Sequence, residues 1–233
     1  MSNDPAFIAL LARTDLFKGL DDAALSACAA AFREVKFAKG EMLFARGETG
    51  NQLFVVSDGR VRLAVVTGDG RELSFRHAVT GDVVGEIAAL DGGPRSADAI
   101  ALSKVVTYSL ERAALEGLYA RQPAVAASIV NHLCRRIRQT SEQLESIAMY
   151  PIEVRLARFL LVALGDRKKA AGKRIPLELG FSQGELAQLL GASRPKVNAA
   201  FGVLEDMDAI KRTIDRIFCD PDKLAEIVTK DDE

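Results

Sequence analysis

Residues 85–97 read Gly85-Glu86-Ile87-Ala88-Ala89-Leu90-Asp91-Gly92-Gly93-Pro94-Arg95-Ser96-Ala97, and the charges in this stretch decide what the chain around it must build. A carboxylate, Glu86, stands nine residues before a guanidinium, Arg95, with the Ser96 hydroxyl beside it. The apolar residues 87–90 suffice for one helical turn, whose first backbone N–H groups lack intrahelical acceptors and suit a phosphate. Gly92, Gly93 and Pro94 then turn the chain back. A Glu and an Arg at this distance are often only a surface ion pair, but here Gly, Pro and small residues fall where a tight anion site needs them. A ligand matching the set has an anionic phosphate for Arg95 and Ser96 and a hydroxyl donor, such as a ribose 2′-OH, for ionised Glu86. A cyclic nucleotide carries both in one small rigid ring.

In spacing and residue type the stretch resembles the phosphate-binding cassette of the cyclic-nucleotide-binding domain family. The resemblance implies that Gly85 lets the backbone approach and Glu86 takes the ribose hydroxyl. Arg95, helped by Ser96, takes the cyclic phosphate, and Ala97 leaves room, with Ile87 and Ala88 in the binding turn.

Working outward, residues 32–110 alternate short Val-, Phe- and Leu-rich runs with turn signals at Gly40, Gly47, Gly59, Gly68-Asp69-Gly70 and Gly81-Asp82. Strands at this interval predict an antiparallel sandwich or barrel. The runs at residues 52–56 and 60–66 are joined through Asp58-Gly59, a tight-turn pair. Residues 6–20 read as a short helix before the sheet.

After the sheet, Ala126, Val130, Leu133, Ile137, Thr140, Leu144 and Ile147 recur at spacings of 4 and 3, a heptad seam. Arg135, Arg136, Arg138, Glu142 and Glu145 lie off it, and His132, also off the seam, is expected to be exposed. So narrow a stripe predicts either a partner helix, most simply in a two-fold homodimer, or packing on the helix's own domain. Thr140 is the polar exception on the seam, and residues 135–148 resemble the dimer helix of the catabolite activator protein family. That resemblance implies that Thr140 and Ser141 reach the nucleotide base, one of them across the dimer.

Tyr150-Pro151 ends the helix and reads as a hinge. A helix over residues 152–164 and a basic linker over residues 166–174 follow. Ser182-Gln183-Gly184-Glu185 is a capping box opening a helix that turns Leu186, Leu189 and Leu190 inward. Gly191-Ala192 makes a turn, and Ser193 can cap a second helix with Pro195 in its first turn. Val197, Phe201 and Leu204 form the inner stripe of that helix; Arg194, Lys196 and Asn198 are its outer face. This is a helix-turn-helix pattern, whose second helix enters the major groove of double-stranded DNA. Residues 210–218, with Lys211, Arg212 and Arg216, read as a strand pair or wing. The DNA-facing set is Ser182, Gln183, Ser193, Arg194, Lys196, Asn198 and Arg212.

The order of parts is that of an α+β protein: an N-terminal antiparallel β jelly-roll over residues 1–120, a long dimerisation helix over 121–150, and a C-terminal winged helix-turn-helix over 151–233. In that order they resemble the catabolite activator protein (CRP/FNR) family of bacterial transcription regulators. The resemblance implies cAMP, or alternatively cGMP, as an allosteric ligand, a two-fold operator, and RNA polymerase as a partner. It departs at Pro195 and Ala199, where the family carries a Glu and an Arg that read bases; of that trio only Arg194 remains, so the family's usual operator is not expected.

Composition sets the remaining bounds. Net charge is −1 over 233 residues, with 17 basic and 18 acidic side chains before residue 151 and 14 of each after it. A DNA surface must therefore be a local patch. No apolar run approaches a membrane span, and Met1-Ser2-Asn3-Asp4-Pro5 lacks the pattern of a signal peptide, so the expected location is the cytoplasm, without membrane contact. Cys28, Cys134 and Cys219 are scattered, which speaks against disulfides, a metal site or the iron–sulfur cluster of some relatives. A haem ligand role for His77 would leave the cassette unexplained. Two histidines 55 residues apart offer no triad, which weighs against an enzyme; a nucleotide-binding protein without DNA binding is the remaining rival.

Overall fold

The computed structural model describes residues 4–66, 72–165, 174–179, 182–213 and 215–230. Helix α1 (Pro5–Arg13) starts where the Asp4 carboxylate accepts the Ala6 N–H, with Pro5 at a position where a missing N–H costs little. It is shorter than the helix expected over residues 6–20, because Thr14 turns extended and returns both its N–H and its hydroxyl to Leu10. A second helix, α2 (Asp22–Ala31), absent from the sequence reading, is capped by Asp21.

Eight strands follow: β1 (Arg33–Phe37), β2 (Met42–Phe44), β3 (Gln52–Asp58), β4 (Val61–Val66), β5 (Glu72–Ala78), β6 (Val83–Val84), β7 (Asp98–Ala101) and β8 (Val105–Glu111). Helix α3 (Glu86–Asp91) lies between β6 and β7, and α4 (Arg112–Arg121) after β8. The strands form two antiparallel sheets, ordered β1-β8-β3-β6 and β2-β7-β4-β5. This is the expected jelly-roll. The expected turn at Asp58-Gly59 carries the chain from one sheet to the other, since β3 pairs with β8 and β6 while β4 pairs with β5 and β7. Gly59 has a positive φ, and a Cβ there would lie 2.3 Å from the Lys104 carbonyl oxygen. The expected turn at Gly68-Asp69-Gly70 lies outside the described residues.

Strand β3 shows why its apolar run is unbroken. Phe54 and Val56 face the interior of the roll with Phe44, Val61 and Val84, while Leu53 and Val55 pack on the other side against Phe7, Phe32 and Leu115. A strand buried on both faces shows no alternation.

Helix α5 (Pro123–Met149) carries two stripes rather than one. Val125, Ser128, Ile129 and His132 are buried against the roll's helical layer, where Ser128 donates to the Lys18 carbonyl. The heptad stripe is bare at Val130, Ile137 (66 % exposed) and Leu144 (68 %). The expectation that His132 is exposed is wrong: it is 4 % exposed, because it belongs to the second stripe.

By internal packing the chain falls into two units, Met1–Arg138 and Gln139–Glu233. In the second, Pro151 separates α5 from α6 (Ile152–Leu164). Around α6 stand β9 (Ile175–Leu177), α7 (Gln183–Leu189), α8 (Arg194–Asp206), β10 (Ile210–Arg212), β11 (Ile217–Cys219) and α9 (Pro221–Lys230). Their core joins Leu156, Leu160, Leu186, Val197, Phe201, Leu204, Ile210 and Leu224. The expected strand pair is a three-stranded sheet, β10-β11-β9; β9 and α9 were missing from the sequence reading. Most of the expected basic linker lies outside the described residues.

Candidate functional site

Two sets of polar side chains stand out. The first surrounds the turn from β6 into α3. Gly85 takes a left-handed conformation, φ +77°, and a Cβ there would lie 2.5 Å from Arg95 Nη1. The six residues of α3 turn Ala88 and Ala89 inward and leave Ile87 exposed. Gly92, again left-handed, closes the helix by donating its N–H to the Ala88 carbonyl, and Gly93 N–H donates to Asp91. The chain then pairs with the loop before β3: Arg95 N–H donates to the Glu48 carbonyl and Gly47 N–H to that of Arg95.

This pairing sends the Arg95 side chain inward, where it is 5 % exposed. Its Nη1 donates to the Gly85 carbonyl at 2.9 Å, and its guanidinium carbon sits 4.2 Å from the centre of the Phe44 ring. Burial lowers its pKa and the charges of Glu48 and Glu86 raise it, and an arginine stays cationic under such pressures. Room for the guanidinium also depends on Gly50, where a Cβ would lie 2.5 Å from Arg95 Nε and 2.6 Å from Ala88 Cβ.

Glu86 is likewise 5 % exposed. Its Oε1 lies 3.8 Å from Arg136 Nε and 4.0 Å from His132 Nε2, both on α5. Burial pushes the carboxyl's pKa up, but His132, the backbone N–H and Arg136 together outweigh it and hold the group below the usual carboxylate range. The site thus holds an ionised carboxylate and a guanidinium, both already desolvated. Ala97 is buried beside them, whereas Ser96 is exposed. Phe44, Glu48, Gly50, His132 and Arg136 escaped the sequence reading. The one available signal was the four-residue spacing of His132 and Arg136 along the flank of the heptad stripe. Thr140 and Ser141 belong to the second unit, where both are exposed on α5.

The second set is the outer face of α7 and α8. The capping box is present: the Ser182 hydroxyl accepts the Glu185 N–H at 3.2 Å, and the Ser182 N–H donates to Glu185 Oε2 at 2.7 Å. Gly191, φ +60°, makes the turn. Ser193 holds the N-cap position of α8 but makes no side-chain cap hydrogen bond. Val197, Phe201 and Leu204 are buried, and Arg194, Lys196 and Asn198 are exposed. Arg194 Nε reaches Gln183 at 3.4 Å, a long contact that leaves the guanidinium at the surface. Arg212 is more committed: it donates to Glu205 at 2.7 Å and Asn198 at 3.3 Å and lies over the Phe201 ring. Behind α8, Asp208 takes φ +54° and is held by Lys223 at 2.7 Å and by Arg174, which bring its carboxyl down to about 2.

Among the described residues no helix is long and apolar enough to cross a membrane, and no cluster of three or more His, Cys, Asp or Glu could hold a metal ion.

Comparison with known proteins matches two regions of the chain. Residues 34–122 match the family model of the cyclic nucleotide-binding domain, and residues 154–227 that of the Crp-like helix-turn-helix domain. The chain is similar to a CRP-like cAMP-activated global transcriptional regulator of Mycobacterium tuberculosis, at 31% identity over 82% of this chain and 85% of that protein. Among solved structures it is similar to the catabolite activator protein of Thermus thermophilus, at 27% identity and a TM-score of 0.54, covering 93% of this chain and 99% of that one. A CooA mutant from Carboxydothermus hydrogenoformans, 21% identical, shares the fold with a TM-score of 0.73 over 91% of this chain and 92% of its own.

Proposed function

Because this chain belongs to the CRP/FNR family of transcription regulators, with a cyclic nucleotide-binding domain and a DNA-binding domain and no part in catalysis, we propose that it is a cytoplasmic homodimer switched by cAMP. The observation that carries the reading is the pair of desolvated, opposite charges, Glu86 and Arg95, in a glycine-lined turn. Glu86 accepts the ribose 2′-OH. Arg95 takes the cyclic phosphate, and Ser96, exposed beside it, adds its hydroxyl. Gly85, Ile87, Ala88 and Ala97 shape the turn around the ring. Thr140 and Ser141 meet the base, and the bare stripe of α5 supplies the dimer interface. The hydroxyls suit either purine, so cGMP is the second reading; the "cAMP-activated" name of the M. tuberculosis relative favours cAMP.

Occupancy of both sites favours one packing of the paired α5 helices, and the reader domains follow. The ligand shifts that equilibrium only by its differential affinity for the two states, about 10⁴-fold for a complete switch. On a two-fold symmetric duplex, Arg194 makes a bidentate contact to a guanine in each half-site. Lys196 and Arg212 mainly hold phosphates, with Ser182, Gln183 and Ser193 beside them, and the Glu205 and Asn198 contacts of Arg212 set its position. RNA polymerase is the downstream partner.

Calorimetry tests the ligand site. Losing one partner of a desolvated charged contact costs about 2–5 kcal/mol, so Arg95→Leu weakens cAMP binding roughly 30-fold to several thousand-fold. Equal binding by this variant, or no binding of cAMP or cGMP by the unsubstituted protein, contradicts the assignment.

A further inference from the structure

We propose that His132 is a positioning residue of the nucleotide site, holding the Glu86 carboxylate in place for the ribose hydroxyl; the inference rests on the cyclic-nucleotide reading above. His132 lies one helical turn before Arg136 on α5, so both side chains reach the cassette from the same face. The imidazole is 4 % exposed, and neither of its buried ring nitrogens has a hydrogen-bond partner. Buried polar atoms are almost always paired, so the unpartnered Nε2 calls for an acceptor. The group it faces is Glu86: Nε2 stands 4.0 Å from Oε1, about 1 Å beyond hydrogen-bond length.

A carboxylate offers about four acceptor positions on its two oxygens, so Glu86 can take the ribose O–H, His132 Nε2–H and Arg136 together. Arg136, 3.8 Å away, supplies charge, but it is also pulled by Asp82 and repelled by Arg76. His132 supplies the directional donor. A ribose hydroxyl drawing Glu86 towards the ligand leaves the carboxylate's far side to be closed by His132, and the ring moves with α5. The same contact thereby ties the sugar of the nucleotide to the long helix.

The test is calorimetry with cAMP and with its 2′-deoxy analogue on the unsubstituted protein, His132→Leu and His132→Gln. The unsubstituted protein should prefer the ribose ligand. His132→Leu should reduce that preference roughly tenfold by weakening cAMP alone, and His132→Gln, which keeps an N–H donor, should restore most of it. A residue that only fills space would weaken both ligands alike, and an unchanged ratio in a folded His132→Leu protein overturns the proposal. If the leucine variant does not fold, the imidazole ¹⁵N signals of the unsubstituted protein decide. They should shift with cAMP and not with the 2′-deoxy analogue, and equal shifts overturn it. No binding of either ligand by the unsubstituted protein overturns the site reading as well, whereas binding with an unaltered ratio overturns the role of His132 alone.

Discussion

The cassette and the recognition helix both carry cations, but in opposite settings. Arg95 is buried, anchored on the Gly85 carbonyl and laid over Phe44, and its neighbour Glu86 is held ionised by two α5 side chains. Arg194 and Lys196 stand exposed on α8. A small ligand can be enclosed, so on the proposed reading its partners are desolvated beforehand and select by shape and hydrogen-bond geometry. A duplex cannot be enclosed, so its partners stay in water, where their contribution is screened by salt and selectivity falls to one or two base-edge contacts.

The sharpest way to break this contrast is to disturb the enclosure without touching a charge. Gly50→Val puts atoms where Arg95 Nε and Ala88 Cβ now stand, at 2.5 and 2.6 Å from the new Cβ. It should weaken nucleotide binding about 30-fold or more, comparable to losing the arginine, and cost about 1–3 kcal/mol of stability. Calorimetry and urea unfolding measure the two. Unaltered affinity would mean that the packing around Arg95 does not matter.

On the exposed side the effects are smaller and differ in kind. Arg194→Ala should cost about 1–3 kcal/mol and relax preference at one base pair per half-site, while Lys196→Ala should weaken all sequences alike and reduce the salt slope by about 1. Fluorescence anisotropy across a salt series separates the two. Nucleotide binding should vary far less with salt than DNA binding, and matching slopes would erase the contrast.

The smallest effect lies behind α8. Asp208, normally titrating near 3.8, is held down to about 2 by Lys223 and Arg174. A depressed folded pKa contributes stability above the unfolded value that is lost as the pH falls through the folded one. The stability gap between the unsubstituted protein and Asp208→Asn should therefore be full above about pH 4 and shrink towards pH 2. Urea midpoints across that range measure it, and a gap independent of pH would exclude the ion cluster as its source.

The same contrast explains how much was legible in the sequence. The cassette's turn could be read because its glycines, alanines and two charges are contiguous, and the helix-turn-helix because its capping box and glycine turn are local. What lines Arg95 and Glu86 from outside, namely Phe44, Gly50, His132 and Arg136, comes from distant elements that meet only once the roll closes. His132 was misread because heptad counting assigns one stripe to a helix, and α5 carries two. The Asp58-Gly59 turn signal fixed a reversal but not which sheet the next strand joins. Helix α2 and the three-residue strand β9 carry no strong period, and tertiary packing on each unit's core secures them, whereas α9 does carry one, with Leu224, Ile227 and Val228 on the face that meets the core, and was missed despite it.

Nucleotide occupancy should control DNA recognition. Selecting bound sequences from random duplex DNA without ligand, with cAMP and with cGMP tests it directly. A two-fold symmetric site with a guanine in each half should be enriched with cAMP, more weakly with cGMP, and not without nucleotide. The same sequences enriched to the same degree in all three conditions would contradict it.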